Sequence, residues 1–297
     1  MIAFRHELYP FTGSYRKVNG HQLHVLDEGH GEAVLMLHGN PTWSFFFREL
    51  VLGLRGKYRV IAPDHIGCGL SDKPDEQSYD YSLRRRVDDL AALVDQAEVR
   101  GPITLLMHDW GGMIGMAYAA RFPEKIGRLV LLNTAAFHLP KKKKLPLSLW
   151  LCRNTPLGNL IIRDTGLFTS VLARWAVCHP MEQSVREAYL LPYREPQDRA
   201  GLLRFVRDIP LRPGDPSYDL VSEVQAKLPQ FRDTPALILW GEKDFVFDHH
   251  FLREWQHYLP GAEVHRFPDA GHYLLEDAGA EILPLIHDFF ERHPAHA

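Results

Sequence analysis

Cysteine is scarce in this 297-residue chain. There are three, Cys68, Cys152 and Cys178, odd in number, widely spaced and without a CxxC pair. That excludes a disulfide framework and a thiolate zinc site, and reads as reduced thiols in a reducing compartment. An excess of either charge is also missing. The 34 Lys and Arg face 37 Asp and Glu, a formal net charge of −3, so there is no electrostatic basis for nucleic-acid binding. No apolar run approaches the roughly 18 residues of a membrane span. The first seven residues, Met-Ile-Ala-Phe-Arg-His-Glu, lack the unbroken apolar stretch of a secretion signal. Internal repeats and low-complexity segments are absent too. A cytoplasmic protein is expected, with no membrane span and no nucleic-acid partner.

What is present is ordinary globular composition, 45% hydrophobic and 24% charged, with a clear pattern. The length suits one large α/β domain, or a core domain with a smaller one inserted. His21 to Asp27 alternates polar and apolar residues, as a half-buried strand does. Ala33 to Leu37, Tyr58 to Ala62, Ile103 to His108, Leu129 to Asn133 and Ala236 to Trp240 are apolar runs with strand character. Wholly apolar strands belong in a parallel sheet covered on both faces. Helical spacing falls between them, at Trp43 to Leu54, after Ser82, and from Met113 to Arg121. A helix near His249 to Tyr258, a strand at Glu263 to Phe267 and a helix from about Ala280 to Glu291 complete the pattern. Such alternation predicts a mostly parallel, doubly wound α/β sheet.

The alternation stops between Phe137 and Pro229. Helical patches such as Leu167 to Val177 and Gln183 to Leu191 stand there, punctuated by prolines. A structureless loop of that length is uncommon in a compact domain, so the stretch predicts an inserted helical cap. The expected division is a core of residues 1–136 and 230–297 and a cap of 137–229.

The chemistry gathers where the strands end. The elbow strand runs into His108-Asp109-Trp110-Gly111-Gly112 and then a helix. A sharp strand-to-helix turn with a reactive apex and small neighbours is a nucleophile elbow, and the apex here is Asp109 where Ser is usual. Attack on saturated carbon by a serine leaves a stable ether. A carboxylate leaves an ester, which a second step can open. His38-Gly39-Asn40-Pro41 follows the first apolar strand, Gly241-Glu242-Lys243-Asp244 follows Trp240, and Asp269-Ala270-Gly271-His272 follows the last strand. Loops at the carboxyl ends of parallel strands converge on one site. Their order, nucleophile then acid then histidine, is that of α/β-hydrolases. A plain helix cap is the alternative for Asp109.

These motifs, with Asp64-His65-Ile66-Gly67-Cys68-Gly69-Leu70-Ser71-Asp72-Lys73-Pro74, resemble the haloalkane dehalogenase branch of the α/β-hydrolases over nearly the whole chain. Within it, Ile66-Gly67-Cys68-Gly69, the double glycine after Trp110 and Asn133-Thr134-Ala135-Ala136-Phe137 look most like the β-lactone decarboxylases of long-chain olefin biosynthesis. The resemblance implies an α/β-hydrolase fold and an enzyme that turns a small hydrophobic β-lactone into a cis-olefin and CO2. It implies Asp109 as nucleophile, His272 as base and Asp244 as the acid that orients it. Glu242, Asp248 and Asp269 compete with Asp244. The position used for the acid by some dehalogenases falls near Asn133-Thr134-Ala135, which has no carboxylate. Asn40 and Trp110 are the expected donors to a leaving group or oxyanion. No cofactor or metal is expected. Association with a β-lactone-forming enzyme and self-association into a homo-oligomer are carried as expectations about partners.

Haloalkane dehalogenase is the nearest alternative. An epoxide hydrolase would need tyrosines over Asp109, with Tyr189, Tyr193 and Tyr218 available, and a non-catalytic receptor would use the pocket alone. Two further features are read conservatively. Lys141 to Lys144 is expected to be an exposed loop rather than a docking patch. Leu167, Phe168, Val171, Leu172 and Trp175 are expected mostly inside the cap core rather than along a substrate tunnel.

Overall fold

In a computed structural model that describes residues 7–295, the apolar runs assemble into one eight-stranded sheet. The stretch read for a leader lies outside the described residues save Glu7. The strands are β1 (Ser14–Val18), β2 (His21–Glu28), β3 (Ala33–Leu37), β4 (Arg59–Pro63), β5 (Ile103–Asp109), β6 (Ile126–Thr134), β7 (Ala236–Gly241) and β8 (Glu263–Phe267). Their order is β1-β2-β4-β3-β5-β6-β7-β8. The β1–β2 and β2–β4 pairs are antiparallel, and every pair from β4 through β3 to β8 is parallel.

Every residue of β3, β5 and β7 is buried. Successive side chains of a strand point to opposite faces, so burial throughout means that both faces are covered. The helices are α1 (Arg48–Leu54), α2 (Leu83–Gln96), α3 (Trp110–Ala119), α4 (Leu147–Asn154), α5 (Leu167–Trp175), α6 (Gln183–Leu190), α7 (Ala200–Arg207), α8 (Tyr218–Lys227), α9 (His249–Tyr258) and α10 (Leu274–Arg292). α1 packs with α10, whereas α2 and α8 both pack on α3. Between β6 and β7 the described residues form helices α4 to α8 and short helical turns, with no strand.

The details depart from the sequence expectation at several points. β1 is an additional strand; its sequence Ser-Tyr-Arg-Lys-Val carries little apolar signal because it lies at the sheet edge. α3 starts at Trp110 rather than Met113, directly from the elbow. The expected helix at Trp43 opens with a 3₁₀ turn, Ser44–Phe47, before α1. α10 begins at Leu274, with a break at Ala278 (φ −134°) and Pro284 within it.

At the elbow Asp109 has φ 51° and ψ −125°, and the β5–β6 register shifts between His108 and Asp109. Glycine makes that close turn feasible. A Cβ on Gly111 would overlap the carbonyl of Leu37, and one on Gly112 the side chain of Thr134. Backbone cannot move aside as a flexible side chain can. Gly111→Ala is therefore expected to destabilise the fold by about 1–3 kcal/mol through overpacking, read as a lower midpoint in urea unfolding; an unchanged midpoint would contradict the close approach.

Candidate active site

Asp109 projects from the end of β5 and is buried. Its Oδ1 accepts from the backbone N–H of Asn40 at 2.7 Å, and the Trp110 N–H also bonds the carboxylate. Gly39 is required here, since a Cβ at that position would collide with the Asp109 carboxylate. On its backbone side, the Asp109 carbonyl accepts from Thr134 Oγ1. Burial pushes the Asp109 pKa up, and nearby His272 and the two amide N–H groups oppose the shift without cancelling it.

His272 faces Asp109 from the loop after β8. Its Nδ1 lies 2.8 Å from Asp244 Oδ2 and its Nε2 3.7 Å from Asp109 Oδ2. Asp244 is itself oriented, because its Oδ1 accepts from the N–H groups of Val246 and Phe247 at 2.7 and 3.1 Å. Burial pulls the His272 pKa down, but the charge and hydrogen bond of Asp244, with Asp109, outweigh it and leave the pKa raised. Three other buried imidazoles behave oppositely. Burial lowers His38 to about 4 and drops His65 and His108 well below the usual histidine range. His272 alone of these four meets a carboxylate at each ring nitrogen.

All five expected site residues converge. Asp109, His272, Asn40 and Trp110 line one cavity of about 390 Å³, and Asp244 stands behind His272. The Asn40 side-chain amide spends one N–H on the Leu202 carbonyl of α7 at 3.2 Å, leaving its second. The Trp110 indole N–H makes no hydrogen bond among the described residues. The remaining cavity wall is almost wholly apolar, with Phe137, Leu149, Ile161, Phe168 and Val206 among its members.

The competing acids are engaged elsewhere. Glu242 pairs with Arg266, Asp269 with Lys243, and Asp248 with Lys143 while capping α9. Asn133, at the position without a carboxylate, instead exchanges two hydrogen bonds with the Gly241 backbone, at 3.0 and 2.7 Å. The tyrosines needed by an epoxide hydrolase are not at the cavity. Tyr189 donates to Glu276, Tyr193 bonds Gly69 and Thr42, and Tyr218 stacks on His138.

One expectation about the helical insertion is corrected. Leu167, Phe168, Val171 and Leu172 line the cavity, and Trp175 is exposed. The α5 spacing identified an apolar face, but that face looks into a cavity instead of a packed core. The lysine run is exposed as expected except at Lys143, which bonds Asp248 at 2.9 Å and the Phe245 carbonyl at 3.2 Å.

Sequence reasoning missed two supporting clusters. Asp64 accepts from the Ser44 and Leu70 N–H groups at 2.7 and 2.8 Å and pairs with His24, and so fixes the loop next to Asn40. Arg48 makes a two-pronged bond to Glu276, at 2.6 and 2.8 Å, which ties α1 to α10. The partners lie 228 residues apart, so no local spacing announces them.

The fold is shared with known proteins. The chain belongs to the α/β hydrolase fold family, whose model matches residues 32–279. Within it, the chain is 54% identical over 283 residues to the cis-3-alkyl-4-alkyloxetan-2-one decarboxylase of Shewanella oneidensis, covering 95% of this chain and 89% of that relative. The protein of the same name from Xanthomonas campestris pv. campestris is 46% identical, over 96% and 98% of the two chains. A haloalkane dehalogenase of Mycolicibacterium paratuberculosis is 31% identical, over 94% and 93%. Among solved structures, the haloalkane dehalogenase DatA from Agrobacterium tumefaciens C58 superposes with a TM-score of 0.84 at 24% identity, covering 95% and 96% of the chains. The resemblance carried by the sequence motifs is thereby met.

Two outcomes test the site. Asp109→Asn keeps the shape but removes the carboxylate anion, and activity should fall by at least about three orders of magnitude. Because burial disfavours the Asp109 anion, the variant's Tm at neutral pH should equal or exceed that of the parent; a clearly lower Tm would contradict the raised pKa. Asp244→Asn removes the charge that raises His272, so its titration, followed by NMR of the ring protons, should move to lower pH.

Proposed function

We propose that this chain is a β-lactone decarboxylase that converts a cis-3,4-dialkyl oxetan-2-one into a cis-olefin and CO2, with Asp109 as nucleophile. The observation that carries this is a buried aspartate, braced by two backbone N–H groups and facing His272, at the base of an apolar cavity. It occurs in a chain 54% identical to a relative bearing the decarboxylase name. Residues 137–229 act as a cap over a core of 1–136 and 230–297. Free thiols at Cys68, Cys152 and Cys178 fit a cytoplasmic setting, and no helix among the described residues is long and apolar enough to cross a membrane. The partner this reading implies is an enzyme that forms β-lactones; self-association into a homo-oligomer is compatible with it.

The chemistry follows from the carboxylate. An Asp109 oxygen attacks C4 of the lactone ring and inverts it. The C4–O1 bond breaks, and its electron pair leaves on O1 as a carboxylate. The product is an alkyl ester of Asp109 bearing that carboxylate on the neighbouring carbon. In the second step the C2–C3 bond breaks, CO2 departs, and the released pair forms the C3=C4 double bond. The C4–O bond to Asp109 breaks at the same time and restores the free carboxylate. Inversion followed by anti elimination amounts to net syn loss, so a cis-lactone gives a cis-olefin.

Neither step moves a proton. His272 acts by charge, its imidazolium held by Asp244 and placed beside Asp109 as negative charge moves off and back onto that residue. Asn40 and Trp110 donate to the carboxylate that develops on O1. In haloalkane hydrolysis the same groups would receive halide, and neutral His272 would have to take a proton from water.

The experiment supplies a synthetic cis-β-lactone and, separately, a bromoalkane. Olefin and CO2 are expected from the lactone; halide release with no olefin would overturn the reading. In H2¹⁸O, lactone turnover should leave Asp109 unlabelled, since water never attacks its carbonyl, whereas hydrolysis of an alkyl ester labels it. The pH profile carries the opposite sign for the two routes. Decarboxylation needs both the Asp109 carboxylate and the imidazolium, so its rate should fall as pH drops through the raised Asp109 pKa and fall again as pH rises through the raised His272 pKa. A rate that climbs through that pKa would indicate a base instead.

A further inference from the structure

Large hydrophobic side chains that stand exposed are concentrated in one stretch of the described residues. Apart from Tyr15, those among the described residues lie between Leu147 and Trp175 or at Phe245. Leu147 is 72% exposed and Trp175 73%. Leu157, Leu167, Val171 and Phe245 are exposed and also line the active-site cavity, so the patch is continuous with the cavity mouth. Contiguous exposed apolar surface of this kind marks an interaction site.

Charge on the same face identifies the occupant. Residues 139–178 hold seven Lys and Arg and one acid, Asp164, in a chain whose net charge is −3. Arg153, Arg163 and Lys143 are neutralised by Asp215, Asp164 and Asp248. Lys141, Lys142, Lys144 and Arg174 make no ion pair among the described residues. The lysines lead directly into α4, which carries Leu147 and Trp150, and Lys143 anchors that segment to the Phe245 loop. Interspersed lysine, tryptophan and leucine on one surface suit the interface of an anionic bilayer, where lysines meet headgroups and the apolar side chains enter the acyl boundary.

We propose that the face formed by the lysine run, α4, the helical turn at Asn159–Asp164 and α5 docks on anionic lipid, with the cavity mouth opening against the bilayer. The benefit to turnover rests on the apolar substrate proposed above: lactone and olefin both partition into lipid and would pass without crossing water. Docking itself needs no turnover, so it is tested separately from the reaction.

The full chain is pelleted with phosphatidylcholine vesicles, with and without phosphatidylglycerol. Binding is expected only to the anionic vesicles, and it should weaken as salt rises. Lys141→Gln/Lys142→Gln/Lys144→Gln should lower the affinity by about a hundredfold, and Leu147→Ser/Trp175→Ser should also lower it. Both variants should keep the parent Tm and the parent rate on a short-chain, water-dispersed lactone. Asp109→Asn should bind vesicles as the parent does. Absence of binding to anionic vesicles, or equal binding by the lysine variant, overturns the proposal. A concentration-dependent dimer that Trp175→Ser disperses, without vesicle binding, overturns it as well and assigns the face to a second copy of the chain.

Discussion

A carboxylate removed from water must be given back what water supplied, and Asp109 receives it from the backbone. Two amide N–H groups, from Asn40 and Trp110, hold the anion. Both require the chain to come closer than side chains ordinarily allow. Gly39 admits the carboxylate, Gly111 admits the Leu37 carbonyl, and Gly112 admits Thr134. The positive φ of Asp109 and the register shift beside it belong to the same arrangement. The fully buried strands around it supply the rigidity against which this strained turn is held. Solvation stays incomplete, so the anion is costlier here than it would be in water.

His272 illustrates how environment separates chemically identical groups. His38, His65 and His108 are buried within the same region and are held neutral. His38 bonds its own neighbour's carbonyl, and His108 bonds the carbonyl of His272 at 2.8 Å. These are scaffold contacts. Only His272 lies between Asp244 and Asp109, and that placement favours its charged form. The family resemblance assigned it the task of base. Lactone decarboxylation asks for charge instead, and the same geometry accommodates either.

The parallel sheet and the convergence of the five candidate site residues were legible because each leaves a local signature. Apolar runs mark β3, β5 and β7, and the loops of Asn40, Asp109 and Asp244 follow them directly, whereas His272 follows the half-polar β8 and was marked by its Gly-His turn. β1 was not legible, since an edge strand needs little apolar content. The clusters around Asp64 and Glu276 were not legible either, because their partners meet only when the chain has folded. The apolar face of α5 was visible in the spacing, but spacing cannot distinguish a face that packs from one that encloses space. That distinction required the neighbouring helices.

The helical insertion is fastened to the core beside His272. Asp277 accepts from Gly271 and also from Cys178 and His179, Tyr273 donates its N–H to the Ala176 carbonyl at 2.9 Å, and Tyr189 bonds Glu276. The residues on either side of His272 thus share their hydrogen bonds with the segment joining α5 to α6. Displacing that segment would disturb the loop that holds the imidazole in line with Asp109. The alignment of His272 with Asp109 thus depends on the helical insertion as well as on the sheet that carries both residues.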